Sequence, residues 1–137
     1  MKKILFLFVT LFFTNSCWDI IVDEQIYIEN NSKDTIGYYV DQRKYNPAFP
    51  HMYDTLPNEV YGVIVPIKPK EGFYDDVDFV DSYFSRYPDK KTKIYLFSWD
   101  TLNEYSWKEV RESSKYLIRY DLSYHELDSM NWTITYP

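Results

Sequence analysis

The sequence predicts a mostly β domain: an antiparallel β-sandwich, immunoglobulin-like or transthyretin-like in layout, with short helical turns. Three observations carry that expectation. One-fifth of the 137 residues are aromatic, 15 of them Tyr, and only 3 are Gly. Aromatic side chains bury large areas and suit half-buried sheet surfaces. Several short segments alternate apolar and polar residues with the period of a strand, and polar or Pro-containing connections separate them. The alternative is an α+β domain, one antiparallel sheet covered by short helices. No Gly-rich phosphate loop is present to support a nucleotide-binding fold.

Residues 25–29 alternate, with Ile26 and Ile28 on one face. Residues 30–34 form a polar turn and 35–40 a β-branched and aromatic return strand, the clearest hairpin signal in the chain. Residues 41–57 are irregular, broken by Pro47, Pro50 and Pro57. So long a connection is uncommon unless it is functional. Residues 60–67 are apolar, and Pro66 makes them an edge strand or ends them. Residues 68–72 are a turn. In 76–84, Val80, Tyr83 and Phe84 fit one face of a short helix with acids near its start. Residues 92–99 carry large side chains on both faces, which predicts a central strand. Thr101 with Glu104, Ser106 with Glu109 and Ser123 with Glu126 have capping-box spacing. Residues 115–122 are the next strand. Residues 131–137 close the chain as a docked strand with Trp132, Ile134 and Tyr136 on one face.

The amino end has a different character. Lys2 and Lys3 precede ten residues, 4–13, that are apolar apart from Thr10, and then Thr14, Asn15, Ser16 and Cys17. This is the layout of a secretory signal peptide. Ten residues span about 15 Å as a helix, too short to cross a bilayer. Four of the nine Phe lie in this segment and say nothing of the fold. Cys17 is the only cysteine, so no intramolecular disulfide forms. Its position resembles the lipobox of bacterial lipoproteins, in which the cysteine is acylated and becomes the first mature residue. Ser16 fits that box. Thr14 stands where Leu is usual and Asn15 where Ser or Ala is usual, a relaxation similar to that of Bacteroides-type boxes. The expected organisation is a signal peptide at 1–16, a lipid anchor and tether at 17–24, and one β-rich domain at 25–137. The expected address is the cell envelope, as an outer-membrane lipoprotein on the periplasmic side or the cell surface.

Loss of Lys2 and Lys3, with no acid removed, moves the formal charge from −6 to −8. An acidic domain lacks the basic patch that nucleic acid and anionic lipid headgroups require. Attachment to a membrane therefore falls to the lipid.

At the carboxyl end, Tyr120-Asp121-Leu122, Ser123 to Leu127 and Asn131-Trp132-Thr133-Ile134-Thr135-Tyr136-Pro137 resemble the ending of a family of small uncharacterised Bacteroides-type lipoproteins. That family ends in Asn-Trp-x-Ile-x-Tyr-Pro, matched here in full. Its preceding helical turn has Thr and Asp where this chain has Ser123 and Glu126. The resemblance implies export and lipoprotein character and carries no activity with it.

Chemistry-bearing clusters are sparse. His51 and His125 are far apart, and His51 has Asp54 as its nearest acid. Asp75, Asp76, Asp78 and Asp81 form an acidic cluster without the spacing or Gly of an EF-hand, so the expectation is a solvated turn. No Ser sits in a nucleophile elbow. The sequence thus predicts no catalytic residue, no metal and no cofactor. The expected function is that of a non-catalytic envelope lipoprotein, an interaction or structural module. The alternative is a small-ligand or glycan-binding protein or, behind that, a hydrolase. The partner is an envelope protein or a glycan, and the candidate binding residues are Tyr45, Phe49 and Tyr53 in the long loop, with Tyr38 as a neighbour.

Overall fold

The computed structural model describes residues 24–77 and 84–137. The described residues form seven strands: β1 Glu24–Asn30, β2 Ile36–Val40, β3 Val65–Ile67, β4 Gly72–Val77, β5 Lys91–Ser98, β6 Ile118–Ser123 and β7 Thr133–Tyr136. They make a three-stranded sheet, ordered β4-β1-β7, and a four-stranded sheet, ordered β3-β2-β5-β6. All neighbours are antiparallel except β1 and β7, which run parallel. Helices α1 (Trp99–Glu104), α2 (Trp107–Glu112) and α3 (Tyr124–Ser129) are each six residues long, and Pro50–Tyr53 is a 3-10 turn. The domain is mostly β, as its aromatic content and alternation predict.

Two cores lie on either side of the four-stranded sheet. Between the sheets, Ile26 and Ile28 of β1 and Ile134 of β7 meet Ile36, Ile94 and Leu96. On the outer face, Tyr39, Tyr95 and Phe97 pack under Leu56 of the long loop and Val110 of α2. β5 is buried without a break from Thr92 to Phe97, as a strand sandwiched on both faces must be. Gly37 lies under α1, where an added Cβ would stand 2.7 Å from Leu102 Cδ1.

The pairing departs from expectation at two places. β1 and β2 are not a hairpin. β1 pairs with β4 and β7, and β2 with β3 and β5, so the turn at 31–35 carries the chain across the core from one sheet to the other. Buried Asn30 holds that corner. Its Nδ2 donates to the carbonyls of Asp34 (2.8 Å) and Ile67 (2.9 Å), and its Oδ1 accepts from the Ser32 amide (3.0 Å) and hydroxyl (2.6 Å). Alternation reveals which face of each strand is buried, and here both faces meet the same core. It does not reveal whether the strands lie side by side or face to face.

The second departure is β4. Asp75 and Asp76 stand in an edge strand in register with Ile26 and Gln25, where an acidic turn leading into a helix was expected. Acids depress strand propensity, but an edge leaves them room. Asp76 is exposed and accepts from Gln25 Nε2 (2.6 Å), and Asp75 accepts from Tyr38 Oη (2.7 Å). The rest of the expected helix before Phe84, with Asp78 and Asp81, lies outside the described residues.

The capping boxes close at Ser106/Glu109 and Ser123/Glu126. Thr101 instead lies inside α1, whose N-cap is Ser98. Trp132, with φ 55°, sits before β7 and packs edge-on against Phe84 (6.3 Å) and Tyr124 (5.2 Å), leaving Ile134 as the buried anchor of the last strand.

Candidate functional site

The long connection after β2 is held from beneath by a buried ion pair. Asp41 continues the outer-face alternation after Tyr39 and is fully buried, its amide donating to the Lys93 carbonyl (2.9 Å). Two residues on, Arg43 returns over it and donates through Nε (3.0 Å) and Nη2 (2.6 Å) to the carboxylate. The remaining guanidinium edges reach the carbonyls of Met52 (2.5 Å) and Thr55 (2.6 Å). One arginine thereby ties the start of the loop to its middle. Such forked, charge-assisted bonds are short and geometrically demanding.

A second clamp is Tyr53. Its ring is buried, its hydroxyl donates to the Lys44 carbonyl (2.7 Å), and it accepts from the Asn46 amide (2.6 Å). Tyr45 packs on that ring at 5.1 Å and Tyr87 at 5.5 Å. Arg119 of β6 adds a third tie, donating to the Asp54 carbonyl (2.7 Å).

Beside these clamps, Lys93 lies between Asp121 (3.3 Å) and Asp89 (3.5 Å), and Arg119 pairs with Asp121 (3.0 Å). Tyr39, Tyr87 and Tyr95 belong to this layer. Burial, reinforced by the Asp41 charge, pushes the Tyr39 phenol up to about 12, and burial likewise raises Tyr87 and Tyr95. All three stay neutral at physiological pH. The charges of this layer are paired where they stand, beneath the loop.

On this support lies an open recess of about 510 Å³. Tyr53 and Arg43 form part of its lining, while Phe49, Met52 and Tyr61 stand around it, each 40–51% exposed. Gln42, Lys44 and Asn46 supply polar groups. The structure therefore brings Phe49 and Tyr53 to one surface, with Phe49 as the accessible ring and Tyr53 mostly spent on the fold. Tyr45 does not line the recess and acts on it through Tyr53. Tyr38 lies on the inner face and is buried, and it does not line this recess.

Sequence reasoning missed Met52 and Tyr61. Tyr61 was hidden in the apolar run 60–67, only the end of which is a strand. The signal that could have found it is Gly62, whose φ of 99° marks a turn that lifts its neighbours out of the sheet. Among the described residues no group of three or more His, Cys, Asp or Glu is placed to hold a metal ion. His125 is exposed on α3, and Cys17 lies outside the described residues.

No protein-family model matches the chain, no curated protein matches it, and no solved structure matches its fold.

Proposed function

We propose that this chain is an exported lipoprotein of the cell envelope, acylated at Cys17, whose domain is a non-catalytic interaction module. The observation that supports a binding role is the exposed Phe49 and Met52, on a loop held by the Asp41–Arg43 and Tyr53 clamps, with Tyr61 lining the same recess. Rigid apolar side chains that need little further ordering are the groups that dominate binding energy. A loop of this length tied at three points costs less entropy to order on a partner than a free one. The lipobox resemblance and the Asn-Trp-x-Ile-x-Tyr-Pro ending support the envelope address.

The nature of the lining supports a glycan as the ligand alternative to an envelope protein. Aromatic rings suit the apolar faces of sugars, and the amides of Gln42 and Asn46 suit their hydroxyls. The test is a double variant, Phe49→Ala with Tyr61→Ala. Both side chains are about half exposed, so the thermal midpoint should stay within a few degrees of the parent. Retention on host envelope fractions or immobilised glycans should fall at least tenfold, and unchanged retention would overturn the binding role. A Cys17→Ala variant should leave the membrane fraction, and a mature protein that still begins at Met1 would overturn the export reading.

A further inference from the structure

We infer that the binding surface continues past Tyr61 into a second recess, and that the two together take a neutral oligosaccharide of at least two sugar units. This rests on the reading of the first recess as the binding surface. The second recess has a volume of about 250 Å³. It opens between the two sheets, with Tyr38 and Val65 contributed by the four-stranded sheet and Asp75 by the three-stranded one. Gln42 and Tyr61 line both recesses and so join them. By itself the second recess falls below the roughly 300 Å³ at which small-ligand pockets begin. As an extension of the first it becomes a subsite.

Exposure marks the same region independently. Eight large apolar side chains are exposed among the described residues, and four of them, Phe49, Met52, Tyr61 and Val63, line one recess or the other. Val63, at 74%, is the most exposed of the eight. Gly62, between Tyr61 and Val63, takes φ 99°, a bend that favours glycine. Exposed apolar side chains gathered around adjoining recesses are what an interaction site presents.

The polar groups decide the ligand class. Arg43 is committed to Asp41 and to two carbonyls, so Lys44 is the cation that the first recess presents, balanced by Asp75 in the second, and the acidic charge of the chain, −6 and −8 without Lys2 and Lys3, disfavours a polyanion. The second recess holds Asp75, whose carboxylate is positioned by the Tyr38 hydroxyl at 2.7 Å. A ligand that presents apolar faces to Phe49 and Tyr61 and hydroxyls to Gln42, Asn46 and Asp75 is a neutral sugar chain. One unit occupies each recess.

The full chain in detergent is titrated calorimetrically with neutral gluco-, manno- and galacto-oligosaccharides of one to six units. For the sugar type that binds, affinity should rise at least tenfold from one unit to three. Val63→Arg, which sets a long charged side chain at the rim of the second recess, should abolish that gain. Equal affinity for one unit and three, or a gain that survives Val63→Arg, would overturn the second subsite. If no sugar binds but Phe49→Ala with Tyr61→Ala still loses retention on envelope fractions, the sugar inference falls while the binding surface stands. If that retention is also unchanged, both fall.

Discussion

Asp41 is fully buried and its partner Arg43 only 11% exposed, so each charge depends on the other. Removing one partner of such a pair strands the other in a poor solvent. Asp41→Ala should therefore cost about 3–5 kcal/mol in chemical denaturation, and hydrogen exchange should speed up in the loop that Arg43 ties together. The buried phenols set the alkaline limit of the fold. Tyr39 is raised from 10.0 to about 12, so its contribution is intact below pH 10 and is lost as pH rises through 12. Stability should be flat up to about pH 10 and fall above it, with phenolate absorbance appearing as the protein unfolds. Glu126 is displaced in the opposite direction. The Ser123 amide and hydroxyl, with Lys91, hold its carboxylate down to about 2. What it contributes is present above its ordinary value of 4.5 and is lost as pH falls toward 2. Ser123→Ala should raise its titration midpoint, read by NMR.

At the scale of elements, the strands depend on one another through a few wholly buried side chains. Leu96 lies at the centre of β5 and is inaccessible to solvent, and Leu96→Ala should cost about 2–5 kcal/mol by equilibrium unfolding. β7 joins the three-stranded sheet as a parallel partner of β1, with Ile134 beside Ile28. Truncation after Met130 removes that strand and uncovers one side of β1, so the shortened chain should aggregate on purification. A soluble, cooperatively folding truncation would show that β7 is dispensable. Gly72 is required by its neighbour across the sheet: an added Cβ would stand 2.1 Å from Tyr27 Oη. Gly72→Ala should displace the Tyr27 ring, which lies 4.5 Å from that of Tyr74, and cost about 1–3 kcal/mol, as overpacking does.

For the whole molecule, the arrangement is three layers deep: a three-stranded sheet, a four-stranded sheet, and a cover of loop and short helices. The middle sheet separates an aliphatic core from an aromatic one. Among the described residues, buried charge lies on the aromatic side alone, at Asp41 and Lys93, and Asp41 pins the cover through Arg43. The first recess is thus part of the cover, positioned by Asp41 and Arg43 just after β2 and by Arg119 of β6. Arg43 is already answered within the fold, so Lys44 is the cation that the first recess presents.

Several features were legible in the residues alone because they are local. A period of two identifies a strand and its buried face, as in β1 and β5. Ser three residues before Glu identifies a helix start, as at Ser106 and Ser123. An apolar decapeptide between two lysines and a lone cysteine sets the expectation of export. The accessible Phe49 was also legible, as an aromatic in a long Pro-rich loop. Tertiary structure alone decided that β1 and β2 face each other across a core, that β4 is a strand despite its acids, and that Tyr53 and Tyr38 are buried while Tyr61 stands out. These are matters of which distant segment lies opposite a residue. The energy that settles them comes from long-range contacts such as Asn30 with Ile67 or Arg119 with Asp54, which no local pattern encodes.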